Sequence, residues 1–150
     1  MAHEVRLKRR LAASADEVYA AWTDARSLAE WMRPLPGGRT EASADVRVGG
    51  KFRVDMYDKE GKLYAHEGEY LRLERPRLVE FSWISDATER QRSIVTVELR
   101  SVGEDETELT LSHRLLPSER SAQSHTEGWT SILVELAAAL KRGRASHSPT

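Results

Sequence analysis

Histidine is the side chain best suited to moving a proton near neutral pH, and two of the five histidines here sit among apolar residues at spacings that turn them inward. His113 shares strand parity with Leu109, Leu111 and Leu115, and His125 shares a helical face with Trp129 and Ile132. An imidazole so placed would orient the polar end of a ligand, or act as acid or base in a cavity enzyme such as a cyclase, dehydratase or hydrolase. The alternative for each is a core histidine satisfied by backbone or buried water, because buried polar groups normally find partners. No residue is assigned a catalytic role. His66-Glu67 lacks a second histidine four residues on, and scattered histidines without cysteine make no ligand set, so no metal is expected. No Gly-x-Ser-x-Gly elbow occurs, and Ser82 takes the outward parity of its strand. Gly37-Gly38 and Gly49-Gly50 lack the lysine and strand-to-helix context of a phosphate loop; they read as turns, and no cofactor is expected.

The tryptophans Trp22, Trp31, Trp83 and Trp129 all fall on apolar faces, where a bulky ring with one polar edge serves packing or ligand enclosure equally well. Trp22 reads as plain core. The candidates for lining a cavity are Trp31, Phe52, Met56, Tyr70, Trp83, His113, His125, Trp129 and Leu133.

The elements that must position these residues are visible as changes of period. Glu4 to Leu11 alternates, with Val5, Leu7 and Leu11 apolar among charges, as in a strand with one wet face. Ser14-Ala15-Asp16-Glu17 has the form of a capping box, and Val18, Tyr19 and Trp22 follow on one helical face. Asp24 caps a second short helix with Leu28, Trp31 and Met32 on its apolar stripe, ended by Pro34 and Pro36-Gly37-Gly38. From Arg39 a period of two persists to Pro117, an antiparallel meander. Phe52, Val54 and Met56 share one face; Val79, Phe81 and Trp83 share another, continued by Val95, Val97 and Leu99. Gly68 inside a strand is expected to mark a bulge, which leaves open which of Tyr64, His66 and Tyr70 point inward. Ser85 to Gln91 reads as a polar loop. A long C-terminal helix follows, with His125, Trp129, Ile132, Leu133, Leu136 and Leu140 on one face. Ser118 and Ser124 compete as its cap, and Gly143 is placed to end it.

The predicted architecture is α+β: a curved antiparallel sheet of six to seven strands around a long C-terminal helix, with two short helices after strand one. A chain of 150 residues is expected to form one domain, residues 1–143, with a short disordered tail over 144–150. The 23 basic and 24 acidic residues mix along the whole chain, so no basic stripe competes for nucleic acid. Cysteine is absent, which removes disulfides, thiolate metal sites and cysteine nucleophiles together. No apolar stretch approaches the roughly 20 residues of a membrane span, and the Arg-rich start lacks the apolar centre of a secretory signal, so a cytoplasmic protein without membrane contact is expected.

Taken in order, Gly49-Gly50, Gly68-x-Tyr70, Arg75-Pro76-x-Leu78-Val79, Phe81-Ser82-Trp83, Thr107-x-Leu109-Thr110-Leu111-x-His113 and Gly128-Trp129 with Leu133 and Leu136 resemble the heat-shock-protein-90 ATPase activator-like family. The resemblance spans Val5 to Leu140 and implies membership of the START, polyketide-cyclase and birch-pollen-allergen superfamily of helix-grip domains, with a hydrophobic cavity between sheet and C-terminal helix. Members include bacterial single-domain proteins of unassigned role, stress and toxin-resistance proteins, and eukaryotic chaperone activators. Those activators carry a further N-terminal domain that does much of the chaperone binding; with no counterpart here, chaperone binding is not expected.

The first functional expectation is therefore a protein that binds a hydrophobic small molecule. Its rivals are the cavity enzyme using His113 or His125 and an interaction module, either a chaperone partner or half of a homodimer.

Overall fold

The computed structural model describes residues 3–33 and 36–146, without the side chains of 144–146. The order is β1 (His3–Leu11), α1 (Ala15–Thr23), α2 (Ala25–Trp31), β2 (Arg39–Ala44), β3 (Lys51–Tyr57), β4 (Leu63–Glu74), β5 (Leu78–Trp83), a 3-10 turn (Asp86–Thr88), β6 (Ser93–Gly103), β7 (Glu106–Leu116) and α3 (Glu119–Ser146). Seven strands form one antiparallel sheet in the order β1-β7-β6-β5-β4-β3-β2. It curves around the apolar face of α3, the helix-grip arrangement expected.

Local chemistry sets the element ends. Ser14 Oγ accepts the Glu17 N–H at 3.2 Å while the Glu17 carboxylate accepts the Ser14 N–H at 3.1 Å, so two orphan donors at the start of α1 are satisfied reciprocally. Asp24 caps α2 through Ser27. Ser118 Oγ accepts the Ser121 N–H at 3.1 Å, which decides the competition with Ser124 and starts α3 at Glu119. Gly143 does not end that helix: the backbone stays helical to Ser146, and the remainder of the expected tail, 147–150, lies outside the described residues.

β4 is the joint of the sheet. Its first half pairs with β3 and its second with β5, and the two halves meet at the Glu67–Ile84 bridge. The expected bulge at Gly68 is displaced: register shifts between Tyr70 and Arg72, so Leu71 is the extra residue. Gly68 is needed instead for close approach, since a Cβ there would overlap the Ser82 carbonyl oxygen and the Phe52 ring. Ser82 holds the outward parity expected of it yet is buried, because its Oγ accepts the Glu69 N–H at 2.9 Å and stitches β5 to β4 at the bend. Before the bulge Tyr64, His66 and Tyr70 lie on the inner face opposite Met56, Val54 and Phe81; after it, Leu73 opposite Val79 takes over.

One further parity fails. Leu115, expected inside, is 48% exposed with φ 65, and that left-handed step turns the next residue, Leu116, into the interior. The segment expected as a polar loop after β5 contains the 3-10 turn and buries Thr88 completely, with Glu89 and Arg90 both left-handed.

Candidate functional site

The inner face of the sheet has two regions. The first is aromatic. Phe52 lies 5.3 Å, centroid to centroid, from both Tyr70 and Phe81; Trp83 lies 5.3 Å from Trp129 on α3; and Trp22 on α1 stands 6.1 Å from Trp129 and 4.6 Å, edge to face, from Trp31 on α2. Helices and sheet thus contribute rings to one cluster because their apolar stripes converge there.

Among the described residues this cluster borders a partly open void of about 10 Å³, walled by Trp22, Leu28, Met32, Phe52, Val54, Tyr70, Phe81 and Trp83. That is the room of a single water molecule. Of the residues expected to line a cavity, Phe52, Tyr70 and Trp83 stand at its wall. Trp129 backs Trp83, Trp31 backs Trp22 with its Nε1–H donated to the Ala21 carbonyl at 3.0 Å, and Met56 and Leu133 are buried elsewhere in the core. The wall residues that sequence reasoning left out are Trp22, Leu28, Met32, Val54 and Phe81. Their parity and helical spacing signal burial, and nothing in the sequence separates a wall from a core.

Indole nitrogens distinguish these tryptophans further. Trp31 and Trp129 donate to acceptors at 3.0 Å, whereas Trp22 Nε1 is buried with no hydrogen-bond partner. Burial in this region also pushes the Tyr70 hydroxyl up to about 12.

The second region is built on histidine. Trp129 Nε1–H donates to His113 Nδ1 at 3.0 Å, His113 Nε2 stands 2.7 Å from Ser93 Oγ, and the Ser93 hydroxyl donates to the Trp83 carbonyl at 2.6 Å. These partners assign the proton of His113 to Nε2. One chain of hydrogen bonds therefore ties α3 to β7, β6 and β5 through a completely buried imidazole. His125 packs edge-on against His113 at 4.5 Å and donates Nδ1–H to the Ser121 carbonyl at 2.8 Å. His66 lies against Trp83 at 4.9 Å with Nδ1 3.3 Å from the Val54 carbonyl.

Burial dominates the titration of all three. It pushes His66 down to about 4 despite the Val54 carbonyl, drives His113 far below its ordinary value with His125 adding to the effect, and lowers His125 against the Ser121 carbonyl. These imidazoles are neutral at physiological pH, and His113 has both nitrogens engaged. Taking up a proton at Nδ1 would set it against the Trp129 N–H, so His113 works as a fastener between helix and sheet rather than as an available base.

Among the described residues no group of three His, Cys, Asp or Glu is close enough to hold a metal ion, and no helix is long and apolar enough to cross a membrane.

With this geometry in place, the likeness to known proteins is specific. The chain aligns over 94% of its length with 99% of the AHSA1 protein of Silicibacter pomeroyi, at 28% identity and a TM-score of 0.80. A protein of Chromobacterium violaceum aligns at 26% identity over 92% of this chain and 96% of its own, also with a TM-score of 0.80. An HSP90 activator from Plasmodium falciparum aligns at 25% identity over 92% of this chain and 96% of its own, with a TM-score of 0.75. No curated protein matches the sequence. Residues 12–141, from the end of β1 nearly to the end of α3, match the sequence pattern of one family throughout. The chain belongs to the family of Activator of Hsp90 ATPase homolog 1-like proteins.

Proposed function

We propose that this chain is a non-catalytic binding protein that admits a small, mostly apolar molecule among the aromatic rings between the sheet and helices α1 and α2, at a void to which α3 supplies no wall residue. The observation that supports it is the small, partly open void walled by Trp22, Phe52, Tyr70, Phe81 and Trp83, where aromatic rings converge without filling the space between them. At about 10 Å³ it is closed to any organic guest as it stands. Binding therefore requires wall side chains to move outward; Met32 is unbranched and lies where α2 has already ended, so it is the wall residue that adapts most readily. The histidines do not favour the enzyme reading, because the partners of His113 and the low basicity of all three leave no free base facing the void.

Native mass spectrometry against lipids, polyketides and aromatic metabolites tests the proposal. A retained one-to-one adduct is expected from an uncharged aromatic class; a protein that retains none of them, with unchanged tryptophan fluorescence, ends it.

The likeness to an HSP90 activator favours a second reading, partnership with that chaperone. Its measure is the ATPase rate of Hsp90 with and without added protein, and an unchanged rate at saturating protein removes it.

A further inference from the structure

We infer that the molecule taken into this interior is an uncharged compound bearing a carbonyl-type hydrogen-bond acceptor, and that Trp22 Nε1–H is the donor that holds it. The inference rests on the interior-binding reading and goes further by naming the ligand's chemistry. Trp22 is 1% exposed, it walls the void, and its N–H has no partner in the protein. Buried donors are nearly always satisfied, so an orphan beside a void is a vacancy in the hydrogen-bond accounting that a guest can fill. Two of the other three indoles show the contrast: Trp31 is tied to Ala21 and Trp129 to His113.

The wall also says what kind of guest fits. Its side chains offer the indoles of Trp22 and Trp83 as donors and the Tyr70 hydroxyl, which donates and also accepts, but no carbonyl or carboxylate oxygen. Water is less well served, since among the wall side chains only the Tyr70 hydroxyl accepts and a buried water ordinarily makes about three hydrogen bonds. An anion is equally poorly served, because no Lys, Arg or protonated His lines the void and burying an unpaired charge is prohibitive. A neutral carbonyl oxygen on an apolar ring accepts from Trp22 and demands nothing in return.

Acetophenone and α-methylstyrene, which replace the same oxygen with a methylene group, separate the possibilities; benzoate supplies the anionic arm. Titrated into the full-length 15N-labelled protein, acetophenone is expected to move the Trp22 indole resonance downfield in a saturable manner. It should bind about ten-fold more tightly than α-methylstyrene, as one hydrogen bond warrants, with benzoate weaker than either. Equal binding of acetophenone and α-methylstyrene, or binding of acetophenone with the Trp22 indole unmoved, overturns the assignment while leaving interior binding intact. If no ligand perturbs any wall residue, interior binding and the assignment fall together. Trp22→Phe should abolish the preference for the ketone, and should that variant fail to fold, the wild-type titration decides alone.

Discussion

The aromatic and histidine regions lie side by side on one inner face, and they differ in how completely their polar atoms are used. Around His113 the hydrogen bonds run unbroken from Trp129 through Ser93 to the Trp83 carbonyl. Around Trp22 an indole N–H is buried with no acceptor and a void stands beside it. A closed network rigidifies and joins elements; an open one stores a demand that something else can meet. The region that advertises chemistry, with its three histidines, is therefore the fastener, and the region that reads as packing is where a ligand has something to gain.

Matched substitutions test this difference directly, because Trp22 and Trp129 are both nearly inaccessible. Trp129→Phe removes ring volume and leaves His113 Nδ1 without its donor, so it should destabilise by about 3 kcal/mol, combining cavity and lost-partner effects. Trp22→Phe removes similar volume but only a donor that had no partner, and should cost about 1 kcal/mol. Urea denaturation of the two variants reads the difference. Equal losses would mean that the His113 chain contributes nothing to fastening α3.

The next effect is one of pH. Each histidine of the fastener has a folded pKa below its unfolded one, so between those values the unfolded chain binds more protons than the folded one. Stability is then fully present above about pH 6.5 and falls as the pH is lowered toward the folded values, about 4 for His66. Replacing His66 with Phe should reduce the slope of stability against pH in that window by about 1.4 kcal/mol per pH unit, the effect of one proton. An unaltered slope would place His66 in water rather than against Trp83.

How much of this was legible beforehand depends on whether the information is periodic. The faces of Phe52-Val54-Met56 and Val79-Phe81-Trp83 follow from a period of two, and the inward turn of His113 and His125 follows from their neighbours. The run of six to seven strands and the long helix follow the same way, whereas the helix-grip family is what the resemblance of the ordered motifs implies. Parity fails where one backbone step departs from the regular strand and no residue type announces it: Leu71 is the extra residue although Gly68 looks the part, and Leu115 is left-handed without being glycine or asparagine. The wall was hidden for a different reason. Whether Trp22 has an acceptor is a three-dimensional question about every oxygen within reach, and its helical spacing is the same either way.

The serines repeat the tryptophan comparison at smaller scale and within the fastener itself. Ser93 and Ser85 are both almost fully buried, but Ser93 Oγ links His113 to the Trp83 carbonyl while Ser85 Oγ has no partner. Ser85 follows directly on Ile84, which bridges Glu67, so this loose end lies just past the end of β5. Ser93→Ala strands His113 Nε2–H and the Trp83 carbonyl and should destabilise by about 1–2 kcal/mol. Ser85→Ala deletes a hydroxyl that was desolvated without return, so it should leave stability within about 0.5 kcal/mol of wild type or raise it. If chemical denaturation instead finds Ser85→Ala as damaging as Ser93→Ala, the Ser85 hydroxyl has an acceptor in solution, and the boundary between the open and closed regions lies farther along β5 than Trp83.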